Sequence, residues 1–243
     1  MQLAFAIGFF VVTGLAETLR QGYFGLGPSE ISGMIAAVMT LLAVLILRGD
    51  LPGLLRPGGD DDHWPGWSWR RTGLALFLVP LFWALPVIWG FASGRLDVVP
   101  MARADLLRLA AAQVLTVALA EHLFLREAAI RAFGPGRGAI YVISVLAVFV
   151  FHMDAGAQAA LAAAGGGVFF LTLRLLGAAP VAVVLVQGLT LALFGHVIPL
   201  ELAGISGWAG AAFLCVGAAV LSLLLMTLFA AENAAENKET RNA

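Results

Sequence analysis

The chain is predicted to be an all-α, polytopic membrane helix bundle with about eight transmembrane helices, and three observations lead there. Of its 243 residues, 61% are hydrophobic and only 12% are charged, with a mean hydropathy of +0.95. Average soluble domains carry about 45–50% apolar and about 25% charged residues, so this composition lacks the polar surface to cover a water-exposed globule of its size. Apolar stretches recur along the chain, most of them near the ~20 helical residues that a ~30 Å hydrocarbon layer requires. Ala and Leu dominate these stretches, and no sustained period-two alternation appears, which argues against a membrane β-barrel.

The first stretch, Gln2–Thr18, has no basic residue before it and reads as a retained helix rather than a cleavable secretory signal. Glu30–Leu47 is the second. The loop Arg48–Arg71 carries Pro52, Pro57 and Pro65, the run Asp60, Asp61, Asp62, and Trp64, Trp67 and Trp69, which fits a surface loop with an aromatic interfacial belt. His63 sits beside the aspartates, where an acidic run is ordinarily just solvated. Thr72–Ser93 is the third span and contains Pro80 and Pro86; Asp105–Leu125 is the fourth and Gly138–Phe151, which is short, the fifth. Ala155–Leu175, with Gly165, Gly166 and Gly167, is the sixth, Ala178–His196 the seventh and Leu202–Ala231 the long eighth. Packed membrane helices tolerate such prolines and use such small residues for close approach. Residues 1–231 form one transmembrane domain, and the polar tail 232–243 is expected to fray.

Eight spans place the even-numbered loops and the tail on one side. That side carries Arg48, Arg56, Arg70, Arg71, Arg131, Arg137, Arg174, Lys238 and Arg241, against chiefly Arg20, Arg95 and Arg103 on the other. The positive-inside rule then puts both termini in the cytoplasm, in what reads as a bacterial inner membrane. A formal charge of −1 offers no basic stripe for nucleic acid. The one cysteine, Cys215, allows neither a disulfide nor a Cys-based zinc knuckle and reads as a small hydrophobe in a helix.

Ionisable side chains in a bilayer interior cost a few kcal/mol each, so each one inside an apolar run is a functional candidate. His122, His152 and His196 fall at or within spans, together with Glu121, Arg126, Glu127 and Asp154. Counting ~1.5 Å per residue from the basic loops puts Glu121 roughly 15 Å, His152 roughly 21 Å and His196 roughly 24 Å deep, so three spans bring a carboxylate and two imidazoles toward one level. Polar residues that close helix kinks or line water cavities give the same pattern.

Peptide-bond hydrolysis within a membrane has a few known residue inventories. The zinc motif H-E-x-x-H is absent. Gly204-Ile205-Ser206-Gly207 matches a serine-type G-x-S-G turn, but no histidine follows His196, and Ser206 reads as a packing or turn residue. Asp154 stands alone where an aspartyl type needs two mid-membrane aspartates. Glutamate with histidines remains. The stretch Ala120-Glu121-His122-Leu123-Phe124-Leu125-Arg126, then Phe151-His152, then Gly195-His196, resembles the CPBP intramembrane protease family, which includes the CAAX prenyl-protein endopeptidases and bacterial Abi proteins. The family pattern is EExxxR, FxxxH and HxxxN or a variant, and the resemblance covers about residues 105–201.

The resemblance implies that Glu121 is the general base, that His152 helps it polarise a water, that His196 is an oxyanion donor, and that Arg126 holds the helix end unless it snorkels to the interface. It departs in three places: His122 replaces the second glutamate, Val148 the Phe and Leu200 the Asn, while Asn233, Asn237 and Asn242 all lie in the tail. Glu127 can face Arg131 at i+4 as an interfacial pair. No cofactor is expected; if a metal binds, Glu121, His122, His152 and His196 are the candidate ligands, although helix neighbours point about 100° apart, which makes joint ligation by Glu121 and His122 awkward. Expected partners are membrane lipid and a membrane-anchored or hydrophobic peptide, such as a C-terminal sorting tail or a bacteriocin-type peptide. The competing reading is a catalytically inactive scaffold or immunity protein, or a small ion-coupled carrier. Neither the substrate nor the oligomeric state is encoded in any motif.

Overall fold

The protein is an all-α bundle in a computed structural model that describes residues 1–21, 25, 27–54, 57, 66–134, 137–199, 202 and 204–242, without the side chains of 20, 28, 29, 53, 137, 154 and 231–242. His63, Asp60–Asp62, Trp64 and Leu200 lie outside the described residues, as does the side chain of Asp154. In chain order the helices are α1 (Gln2–Arg20), α2 (Pro28–Leu47), the single turn α3 (Leu51–Leu54), α4 (Trp69–Phe77) and α5 (Val79–Ala92). They continue as α6 (Arg103–Phe133), α7 (Arg137–Phe151), α8 (Ala157–Leu175), α9 (Pro180–Val197) and α10 (Gly204–Asn242). Seven spans among the described residues are long and apolar enough to cross a membrane, α4 and α5 counting as one, and Gly138–Phe151 adds a shorter apolar helix.

Side chains such as Phe10, Phe77, Phe91, Leu107 and Ile205 point outward. A surface this apolar belongs against hydrocarbon, where every backbone group must be satisfied within a helix. Loop contacts sort the helix ends into two levels. At one end Arg131 Nε pairs with Asp50 at 2.5 Å, Ser68 N–H donates to Gly177 O at 3.2 Å, and Ala179 N–H donates to the Thr72 hydroxyl at 2.9 Å. At the other, Val99 N–H donates to Val197 O at 2.8 Å and Gln158 to Gly204 O at 3.2 Å. The spans therefore alternate in direction.

Two hydrophobic cores form. One gathers α1, α2, the second half of α6 and α7 around Phe5, Met39, Phe124 and Ile140; the other gathers α4, α5, α8, α9 and α10 around Phe169, Leu173 and Leu225. Glycines set the closest approaches. A Cβ on Gly165 would lie 2.8 Å from Cys215 Cα, and one on Gly188 would lie 2.9 Å from Val114 Cα, so α8 meets α10 and α9 meets α6 nearly backbone to backbone.

Several expectations need correction. The polar tail is helical, α10 continuing through it to Asn242. Trp67 is buried and donates its indole N–H to Leu54 O at 3.1 Å rather than joining an interfacial belt, whereas Trp69 is exposed. Arg174 is not a loop arginine but is 1% exposed, because the last turn of α8 faces the bundle interior.

Candidate active site

The site lies where α6, α7, α8 and α9 meet, between the two cores. Helix α6 is not α-helical throughout: it has π-helical turns at Val114–Ala118 and His122–Ala128, on either side of Glu121. In a π turn, i→i+5 hydrogen bonding stacks residues five apart, much as an α-helix stacks residues four apart. Glu121 and Arg126 are five apart, and so are His122 and Glu127, so the second π turn sorts four polar residues into two pairs on two faces. Ser144 of α7 donates its hydroxyl to the Leu125 carbonyl at 2.8 Å, supporting the backbone within that turn.

On the first face, Glu121 is 3% exposed and both carboxylate oxygens are engaged. Oε1 lies 3.0 Å from His152 Nε2, and Oε2 accepts from Gln187 Nε2 at 2.7 Å. The Gln187 carbonyl oxygen in turn accepts from Arg126 Nη1 at 2.7 Å. An amide between an acceptor-only carboxylate and a donor-only guanidinium has one consistent orientation, so its second N–H is left for another partner. Arg126 is 1% exposed, with its guanidinium 5.7 Å above the Phe170 ring, and it does not snorkel.

On the second face, Glu127 Oε1 accepts from Arg174 Nε at 2.6 Å, and His122 Nε2 approaches the same oxygen to 3.0 Å without hydrogen-bond alignment. All three side chains are buried. Glu127 therefore does not pair with Arg131, which is held by Asp50. The Glu127–Arg174 pair ties α6 to α8 and lies outside the cavities that reach Glu121.

Glu121 and His152 come together as expected. His196 does not join them: it is exposed near the end of α9, with its Nε2 3.4 Å from Gln113 Nε2. It stands nine residues beyond Gln187, roughly 13 Å along the helix at ~1.5 Å per residue. Helix α9 runs on past the level of Glu121, so His196 reaches the far end of the span, sixteen residues after Pro180. His122 turns away from Glu121, and among the described residues no three His, Cys, Asp or Glu side chains converge as metal ligands.

Gln187 takes the place in the cavity expected of His196, and, being uncharged, it does not stand out in the sequence among the ionisable groups of the spans. A neutral amide in mid-span also needs a partner, and Gln187 stands in the apolar run Pro180–Ala192. That signal was available.

A cavity of about 170 Å³ opens beside Glu121, His152, Arg126 and Gln187, walled otherwise by Thr190 and by apolar groups including Phe82, Pro86, Phe170 and Leu191. Val148 belongs to the same wall, packed against Gly167. A buried carboxylate beside an imidazole, next to a cavity with room for a reacting group, is an arrangement suited to activating water. No family model, curated protein or solved structure matches this chain.

Proposed function

We propose that the protein is a glutamate-dependent intramembrane endopeptidase of the CPBP kind, with Glu121 as general base. The observation that carries this reading is the clamp on Glu121, with His152 on one oxygen and Gln187 on the other, at the wall of an apolar cavity inside a membrane bundle. Glu121 takes a proton from water as its oxygen attacks the scissile carbonyl carbon, and His152 orients that water. The second N–H of Gln187, fixed by Arg126, donates to the developing oxyanion, a role the resemblance alone had given to His196. Collapse breaks the C–N bond, and the proton held by Glu121 passes to the departing amine, leaving a carboxylic acid and an amine. Preorganised donors of this kind each contribute about 10²–10³ in rate.

The substrate is a hydrophobic or membrane-anchored peptide, such as a C-terminal sorting tail or a bacteriocin-type precursor. The termini lie in the cytoplasm of a bacterial inner membrane, on the side richer in loop arginines. The test is mass spectrometry of protein termini in cells carrying the native chain, Glu121→Gln or His152→Ala. Membrane-protein termini that vanish in both variants while the chain stays inserted are expected, with cleavage falling about 10²–10⁴-fold for loss of the base. A biological effect that survives both substitutions would instead mark a scaffold or immunity protein, and pH-coupled uptake abolished by Glu121→Gln would mark a carrier.

A further inference from the structure

A second cavity, of about 190 Å³, lies on the other side of the Glu121–His152 pair. Its wall is formed by Ser32, Ile35, Ala36 and Met39 of α2, Thr116, Val117 and Ala120 of α6, and Phe151 and Ala155 around the end of α7. Among the described residues, Glu121 and His152 are the only ones shared by the two cavities, so the pair is a partition between them. The chambers differ in chemistry. Beyond the shared pair, the first is lined mainly by rings and aliphatic groups, and its polar exceptions are already bonded, Gln187 to Arg126 and Glu121, and Thr190 to Trp83 and Val186 O, whereas the smaller lining of the second includes Ser32 and Thr116.

Helix α7 explains why the second chamber exists. Tyr141 hydrogen-bonds Thr172 at 2.6 Å, Val148 faces Gly167, and His152 shares a cavity wall with Ala163. The end of α7 is therefore level with Ala163, six residues into α8, or roughly 9 Å below the start of α8 at ~1.5 Å per residue. A helix end and the beginning of the 3₁₀ turn at Met153–Ala155 thus lie below the start of α8, to which Gly156, at φ 96°, returns the chain. Non-helical backbone at membrane depth persists only where protein buries it or water wets it. A cavity of this size holds on the order of six waters at ~30 Å³ each, with polar partners on its wall, whereas a comparable ~150 Å³ chamber lined only by apolar groups stays dry.

We infer that the chamber beside α2 is a water-filled antechamber that delivers the nucleophile to Glu121, and that the opposite cavity is kept dry for an apolar side chain of the substrate. Water and peptide thus reach the acid from opposite faces. The antechamber opens at the end where α2 begins and α7 ends, which the alternation of spans places opposite both termini. The delivery of a nucleophile rests on the proposed hydrolase, but wetness does not, so water access is measured without any cleavage assay.

In full-length protein carrying Cys215→Ala, single cysteines are introduced at Ala36, Ala37 or Ala163 and exposed to a charged methanethiosulfonate reagent in right-side-out and inverted membrane vesicles. Protease sensitivity of a C-terminal tag reports sidedness. Ala36 lines the antechamber and is 7% exposed, whereas Ala37 is exposed on the outer face of the same helix with Leu41 and Val44. Labelling of Ala36→Cys at least tenfold faster than Ala37→Cys and Ala163→Cys, from the face opposite the tag, is the expected result and inverts the order of exposure. Equal rates at positions 36 and 37, no reaction at 36, reaction at 163 as fast as at 36, or labelling only from the tag's face would each overturn the inference. If labelling is as expected but no Glu121-dependent cleavage exists, the hydrolase reading fails and the wet chamber stands.

Discussion

At the scale of single residues, the site depends on an amide between two charges. Gln187→Met keeps the length of the side chain but leaves Glu121 Oε2 and Arg126 Nη1 without their shared partner. Each unsatisfied buried group costs about 1–3 kcal/mol, more when charged, so a clear loss of thermal stability in detergent is expected. Cleavage of any substrate established for the native chain should fall about 10²–10³-fold through loss of an oxyanion donor. Gln187→Glu should be worse than Gln187→Met, since it sets a second carboxyl against Glu121. The Glu127–Arg174 pair behaves differently. Removing one partner, as in Arg174→Met, strands a buried carboxylate and should destabilise the fold by about 3–5 kcal/mol, while Glu127→Gln with Arg174→Met should recover most of that loss. A double-mutant cycle by thermal unfolding measures the coupling, and the Glu121 site should respond little because the pair touches neither cavity wall.

At the scale of elements, the two features that make the site are a change of helical register and a close helix crossing. The π turn at His122–Ala128 puts Arg126 on the face of Glu121 and Glu127 on the face of His122. The crossing of α9 on α6 brings Gln187 within reach, because Gly188 lets the backbones meet at Val114. Gly188→Leu should push α9 outward, separate Gln187 from Glu121 and destabilise the bundle by about 1–3 kcal/mol or more through overpacking. Gly14 faces open space. Gly14→Ala should therefore leave melting temperature and cleavage within a small margin of the native chain, which makes it the matched control.

At the scale of the whole molecule, the acid sits on a boundary between two packed cores, and cavities form there because neither core closes over it. The alternation of spans sets Met1 and the last turns of α10 at one end of the bundle, where Arg131 pairs with Asp50, and Val99 with Val197 at the other. Under the proposed orientation the first of these ends is cytoplasmic. Fluorescent-protein fusions at the N- and C-termini should both fluoresce in a bacterial host, and an alkaline-phosphatase fusion after Ser93 should be active. The reverse pattern would invert the assigned orientation while leaving the bundle unchanged.

Composition and the length of apolar runs were enough to determine a helical membrane bundle and nearly every span, because the cost of exposing backbone or charge to hydrocarbon acts locally on each segment. The same cost made Glu121, His122, Arg126 and His152 legible as candidates one residue at a time. Partners were another matter. That Glu121 meets Gln187 rather than His196, that Arg174 is buried against Glu127, and that α7 stops short beside a second chamber depend on a π turn, a glycine crossing and the relative heights of helices. Those are contacts between segments far apart in sequence, and they acquire an energy only once the bundle has packed.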